Sequence, residues 1–343
     1  MTIACRDHEH LRNGNTYFGG CDYLGLSQHN RVKRAVIDAI ETYGISAGAA
    51  RLTSGTSAVH LEVEASLARY TRTARALLLP SGYLANVAAV QALSGICDRF
   101  LCVGNAHPSF LDGTGTAPLT TFDDYASLCA ALPEYERGQA AYCIYVDAVD
   151  PITGDQAPIH ALRALVRRGY LLLDQSHGFG LPGDDADRSA APNIIVTSSL
   201  SKVVGLHGGF VAGAASIIDR IVGHSSAFRC ATPLPPAICY GIAQALALCG
   251  NGDLWRALSA NIHRLRDRVP ELAAGNQPLR PILALKTFRG KDAQAVHHHL
   301  LEHEIFVPYI ENYNGADRLL RLAIRANHSG AEIDRLATAL QAL

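Results

Sequence analysis

Short apolar runs alternate with helical patterns through the middle of the chain, and this constrains the fold more than any other feature. Residues 76–79, 100–103, 141–146, 171–174, 194–197 and 210–213 are such runs, rich in Leu, Ile, Val and Phe. Each suits a strand and is too short for an isolated helix. Between them lie stretches of helical spacing, such as the one that follows Ser81 and ends near Leu93. Strands alternating with helices make βαβ units, and apolar runs without polar alternation mark strands buried on both faces. The expectation is an α/β domain with a mostly parallel central sheet flanked by helices.

The texture changes after Pro235-Pro236. Residues 237–272 are rich in Ala and Leu and read as helical, with a break at Gly250-Asn251-Gly252. Residues 281–288, 305–310 and 319–324 read as strands with helical patterns between and after them. This predicts a large domain over 46–235 and a smaller C-terminal α+β domain over 236–343. The N-terminal segment 1–45 is expected to pack with the small domain or with a partner subunit.

Bulk composition narrows the function. Hydrophobic residues make up 48% of the 343 residues and charged residues 18%, which supports a sizeable core and argues against disorder. The 30 basic and 31 acidic residues nearly cancel and form no basic face, so no nucleic-acid partner is expected. No apolar stretch approaches the ~20 residues of a membrane span, and the first residues lack the apolar core of a signal peptide. The nine cysteines are odd in number and include no C-x-x-C pair, which reads as buried reduced thiols in a cytoplasmic protein.

Lys202 carries the most chemical information. It follows the strand run 194–197 and the hydroxyls of Ser198, Ser199 and Ser201, and precedes a glycine-rich turn and a further apolar run. A lysine held among buried strands is costly unless paired, neutralised or covalently used. The run 171–174 ends in Asp174, with His177 three residues on. A lysine on one strand end and an aspartate on another are what pyridoxal phosphate (PLP) requires: the amine forms the Schiff base and the carboxylate partners the pyridinium nitrogen. Asp174 read alone is more readily a helix cap, and His177 alone an ordinary structural histidine.

Ser81-Gly82-Tyr83 follows a strand and opens a helix, a seat for phosphate, although many strand–turn–helix junctions share this composition. His107 follows the strand run 100–103, where an imidazole either stacks on a planar ring or is a plain loop residue. His297-His298-His299 and His303 suggest a metal, but Ala295, Val296, Leu300 and Leu301 make an amphipathic helix, and no carboxylate or cysteine completes a ligand set. No metal is expected.

Ordered motifs over nearly the whole chain resemble the α-oxoamine synthases, of the PLP-dependent fold-type I group. They are Asp22-Tyr23-Leu24-Gly25-Leu26; Ser54-Gly55-Thr56 with His60-Leu61-Glu62; Ser81-Gly82-Tyr83-Leu84-Ala85-Asn86; and His107-Pro108-Ser109. They continue with Gly154-Asp155-Gln156-Ala157-Pro158, Asp174 with His177-Gly178, Ser199 with Lys202, Thr232 before Pro235-Pro236, and Leu320-Arg321-Leu322 ahead of His328. The resemblance implies that Lys202 holds PLP and shuttles the α-proton, and that Asp174 keeps the ring nitrogen protonated. It places His177 on the phenolic oxygen and His107 on the ring face. Ser81, Gly82, Tyr83 and Ser199 would surround the phosphate end, and Thr232 would reach the cofactor of the other subunit in a homodimer. Arg321 would clamp the amino-acid carboxylate, a task for a bidentate guanidinium.

The implied reaction is a decarboxylative Claisen-type condensation. A small α-amino acid meets an acyl thioester, on coenzyme A or a carrier protein, and an α-amino ketone leaves. A different outcome of the same cofactor, as in an aminotransferase, racemase or aldolase-type lyase, is the alternative. A non-catalytic partner subunit is a further rival, opposed by the retained Lys202. The chain also departs from the family. Cys21 stands where an Asn helps bind the amino acid, and Asp147 and Pro151 align with a usual Glu and Ser near the cofactor. Ala50 and Leu52 flank Arg51 where users of succinyl-CoA place Thr and Asn, which speaks against that donor.

Overall fold

The computed structural model describes residues 16–180, 191–273, 280–311 and 318–343. Its backbone divides into two units. The larger holds Leu26–Asp150 and Asp155–Asn251; the smaller holds Gly252–Leu343, Pro151–Gly154 and the described part of Met1–Gly25.

After the two-residue β1 (Thr16–Tyr17), seven strands build the sheet of the larger unit. They are β2 (Arg75–Leu79), β3 (Arg99–Val103), β4 (Leu119–Phe122), β5 (Tyr142–Asp147), β6 (Tyr170–Asp174), β7 (Ile194–Ser199) and β8 (Gly209–Gly213). Their order is β2-β8-β7-β6-β5-β3-β4. Neighbours from β4 to β7 pair in parallel, while β8 lies antiparallel to both β7 and β2. All six apolar runs predicted as strands are in this sheet. The strand β4 was not predicted: Leu119-Thr120-Thr121-Phe122 alternates exposed and half-buried residues at the sheet edge, so it lacks a buried run.

Alternation in the central strands feeds two cores. Cys143, Tyr145 and Leu172 point to the face covered by helices Gly82–Ser94 and Ala215–His224. Tyr142, Ile144, Val146, Leu171 and Leu173 point to the opposite face, with Leu128, Leu132, Ile159 and Leu162. Each such fully buried aliphatic side chain contributes roughly 1.5–3 kcal/mol. The helix Gly82–Ser94 starts where Ser81, in extended backbone, accepts the Leu84 N–H on its side chain at 3.1 Å.

The boundaries expected at 45 and 235 and the observed division fall at different places. Helices Asn30–Tyr43 and Pro236–Cys249 pack on each other inside the larger unit. Gly241 permits this: a Cβ there would lie 2.6 Å from Val36 Cγ2 and 2.5 Å from Leu206 Cδ2. Pro236 begins a helix, a position where its missing N–H costs nothing, and the unit boundary comes later, at Gly252.

In the smaller unit β9 (Ile282–Leu285) pairs antiparallel with β14 (Leu319–Ala323), which pairs with β13 (Tyr309–Ile310). A hairpin joins β10 (Thr287–Phe288) to β11 (Lys291–Asp292), and β12 (Ile305–Phe306) pairs in parallel with β1. Helices Asp253–Arg268, Ala293–Glu302 and Gly330–Gln341 complete it. The last is opened by a reciprocal cap between Ser329 and Glu332.

Candidate active site

Parallel strands that end side by side bring their C-terminal residues together, and such ends are where α/β sheets bind ligands. Register pairs Asp147 of β5 with Asp174 of β6, and Asp174 with Thr197 of β7. Asp174 is 4% exposed, and its carboxylate takes three donors. Oδ1 accepts the Ser176 N–H at 2.8 Å; Oδ2 accepts Asn86 Nδ2 at 2.6 Å and the Tyr145 hydroxyl at 3.1 Å. The Tyr145 hydroxyl also lies 2.9 Å from Asp147 Oδ1, so one phenol proton serves two carboxyl groups. Burial, and then the charge of Asp174, hold the Asp147 carboxyl well above the usual carboxylate range.

Lys202 sits in the turn between β7 and β8. Three backbone bonds fix that turn: Leu200 N–H to Gly208 O, Leu206 N–H to Leu200 O and Gly205 N–H to Lys202 O, at 2.9–3.1 Å. The Lys202 charge acts on both Asp147 and His107, so the amine shares their neighbourhood. His107 caps helix Pro108–Thr114, its Nδ1 3.2 Å from the Ser109 N–H and 2.6 Å from Ser109 Oγ. Burial lowers the His107 pKa, Lys202 adds to that, and Asp174 opposes it. His177 is buried in the tight turn after β6, where Gly178 and Phe179 both donate their N–H groups to Gln175 O.

At the other end of this group three backbones meet with no room for a side chain. A Cβ on Gly82 would lie 2.6 Å from Ser199 Cβ, and one on Gly209 would lie 2.4 Å from the Gly82 nitrogen. This cradle opens on the first turn of helix Gly82–Ser94, with the Ser199 and Ser201 hydroxyls 2.7 Å apart beside it. Tyr83 turns elsewhere: its hydroxyl donates to Asp112 and the residue is 42% exposed. Thr232 is exposed, two residues before Leu234, whose carbonyl is held 2.9 Å from His60 Nε2.

Arg321 and Cys21 belong to the smaller unit. Arg321 is buried; its Nε donates to Pro151 O at 2.7 Å and its Nη2 to the Tyr23 hydroxyl at 3.2 Å. Burial works against its charge, but Tyr23 and Cys21 outweigh that and raise its pKa. Pro151, which has no side-chain hydroxyl, thus contributes its carbonyl. Three of the four histidines with metal-like spacing serve the backbone. His297 Nδ1 lies 2.9 Å from Val307 O, His299 Nε2 2.9 Å from Ala339 O and His303 Nδ1 2.9 Å from His299 O.

An acceptor carboxylate, a lysine amine, a buried imidazole and a glycine cradle with hydroxyls are the set a phosphorylated pyridine aldehyde requires, so the residues present fit PLP. Sequence reasoning missed Asn86, Ser109, Tyr145 and Thr197 as members of this group. A signal existed for two of them. Tyr145 and Asp147 share one face of a strand by their spacing of two. Asn86 is a buried amide in a largely apolar helix, where a buried polar group must have partners.

The profile of the family aminotransferase class I and II matches residues 16–340. An 8-amino-7-oxononanoate synthase from Nitrosomonas eutropha is 32% identical over 96% of this chain and 90% of its own length. The enzyme of the same name from Chromobacterium violaceum is 32% identical over 94% of this chain and 88% of its own. Among solved structures, a serine palmitoyltransferase from S. paucimobilis with bound PLP–myriocin superposes with TM-score 0.86 and 22% identity, over 96% of this chain and 87% of that one. An 8-amino-7-oxononanoate synthase from Francisella tularensis gives 0.79 and 20%, over 96% and 98%.

Proposed function

The chain belongs to the α-oxoamine synthases, within the aminotransferase class I and II family, and from that membership we propose how its residues serve a PLP-dependent decarboxylative condensation. The substrates are a small α-amino acid and an acyl thioester, and the product is an α-amino ketone. PLP, when bound, supplies an aldehyde for an amine and a ring that takes up negative charge from the α-carbon.

Lys202 would hold the cofactor through its amine and would carry the α-proton of the amino acid. Asp174, a carboxylate oriented by three donors, would partner the ring nitrogen and keep it protonated. His107 would pack on the ring, and His177 would serve its phenolic oxygen. Ser81, Gly82, Ser199 and the first turn of helix Gly82–Ser94 take the phosphate. Tyr83, its hydroxyl tied to Asp112, supports this end through the backbone of the helix's first turn. Arg321 binds the substrate carboxylate, with Cys21 beside it where an Asn is usual. Ala50 and Leu52 offer no partner for a second carboxylate, which supports an acyl group other than succinyl.

We infer a homodimer from the apolar surface of the larger unit. Ile37, Ile40, Ile45, Leu52 and Leu61 are 40–77% exposed along helix Asn30–Tyr43, the following loop and helix Ala58–Thr71. Exposed aliphatics in this number mark an interface, and a second copy of the chain covers them, its Thr232 reaching the neighbouring cofactor. Among the described residues no helix is long and apolar enough to cross a membrane, and the proposed location is the cytoplasm.

The observation that carries this reading is the meeting of Asp174, His107 and Lys202 at the strand ends. Carbon dioxide release from an amino acid that requires an acyl thioester is the expected result. Keto-acid formation without any thioester would overturn it in favour of an aminotransferase. Lys202→Ala is expected to abolish visible absorption and borohydride fixation of the cofactor; a variant that stays yellow would misplace the lysine.

A further inference from the structure

Asn86 is 2% exposed in a helix whose other buried residues are Gly, Ala, Val and Leu. A buried side-chain amide there must find partners for both its N–H groups and its oxygen. The Thr197 hydroxyl donates to Asn86 Oδ1 at 2.5 Å. One Nδ2 proton goes to Asp174 Oδ2 at 2.6 Å and the other to Ser109 Oγ at 2.9 Å. A carboxylate oxygen only accepts, so the nitrogen of Asn86 is the atom that faces Asp174. The amide therefore has a single orientation, with both N–H protons donated and its oxygen accepting from Thr197.

The same donor arithmetic continues outward. Ser109 Oγ accepts from Asn86, which leaves its own proton for His107 Nδ1, 2.6 Å away. That nitrogen also receives the Ser109 N–H at 3.2 Å. A ring nitrogen that accepts carries no proton, so the His107 proton resides on Nε2.

We propose that Asn86 is a positioning residue that couples two cofactor contacts. It aims the Asp174 carboxylate and, through Ser109, fixes which nitrogen of His107 is protonated. Thr197, the register partner of Asp174 on β7, locks the amide in place. The inference rests on the assignment of Asp174 and His107 to the cofactor, yet its test needs no turnover and no knowledge of the substrates.

The test uses full-length protein loaded with PLP and ¹⁵N-labelled at histidine, with the His107 signals assigned through His107→Asn. Wild type should show an unprotonated Nδ1 and a protonated Nε2. Ser109→Ala, which removes the hydroxyl of the relay but keeps the backbone N–H to Nδ1, should raise the share of the Nδ1-protonated tautomer while the dissociation constant of PLP changes by less than about threefold. Asn86→Leu should disturb the tautomer and also weaken PLP by about tenfold or more, since it removes a bond to a charged group. Asn86→Ser, which keeps a donor at that position, should recover part of the affinity. A wild-type His107 protonated on Nδ1 would overturn the proposal. So would an unchanged tautomer in Ser109→Ala, a variant small enough to fold even if Asn86→Leu does not. A folded Asn86→Leu with wild-type tautomer and PLP affinity would reduce Asn86 to packing. An enzyme found to run a different PLP reaction would leave these spectra unaffected.

Discussion

Asp147 and Asp174 lie on paired strand ends around one phenol, and their surroundings differ. Asp174 has three donors; Asp147 has a share of Tyr145. Burial and the Asp174 charge raise the Asp147 pKa in the fold. The folded chain then binds more protons than the unfolded one above the ordinary carboxylate range, so this group loses stability as pH rises through that range. Asp147→Asn should therefore stabilise the protein near neutral pH, with the gain shrinking toward pH ~4. Urea unfolding at the two pH values measures it; equal destabilisation at both would mean that Asp147 is ionised in the fold. At Arg321, Arg321→Ala should weaken amino-acid binding by roughly 2–5 kcal/mol if a buried charge pair forms with the carboxylate. The readout is KM against kcat, and an unchanged KM would hand the carboxylate to another residue.

Elements impose a second kind of constraint. The loop that carries Arg51 is tied to the sheet through helix Ala58–Thr71. Arg51 donates to both Glu64 oxygens at 2.8 and 3.2 Å, and Glu64 Oε1 also accepts the Leu78 N–H of β2 at 2.9 Å. Breaking a buried pair on one side leaves a bare charge, so Glu64→Leu should cost about 3–5 kcal/mol; chemical denaturation reads this, and a loss below about 1 kcal/mol would make the pair dispensable. The sheet strands were legible because burial on both faces leaves an unbroken apolar run. Edge strand β4 and the two-residue strands β1 and β11 were not, because they bury too little to mark the sequence, and the runs 281–288 and 305–310 each read as one strand where the chain forms two. Nor was the insertion of β8 between β2 and β7 legible, since strand order depends on contacts far apart in the chain. Lys202, Asp174 and His107 stood out as reactive types beside strands. Asn86 did not, because its three partners lie 23, 88 and 111 residues away and only folding brings them to it.

At the scale of the whole molecule, acid should unfold the protein partly through His328. Burial, and then the Arg325 charge, lower its pKa to about 4, while Nδ1 accepts the Arg325 N–H at 3.1 Å. The unfolded chain binds the proton first, so this contribution is complete above pH ~6.5 and is lost as pH falls toward 4; it amounts to about 3 kcal/mol. His328→Gln should flatten that part of the stability profile, and an unchanged acid limb would exclude the residue. Ile40→Glu, on the exposed apolar surface, should shift the protein to a monomer in sedimentation. An intact dimer in that variant would place the interface elsewhere.

The chain passes between its two units at Gly25, Asp150, Gly154 and Asn251. The four-residue visit of Pro151–Gly154 is enough to give the smaller unit the carbonyl that holds Arg321. No single stretch of the gene therefore encodes either unit whole. Exon-like shuffling, or the production of one unit as an ordinary truncation, would sever the guanidinium from its support, so the two parts must be inherited and engineered as one indivisible piece.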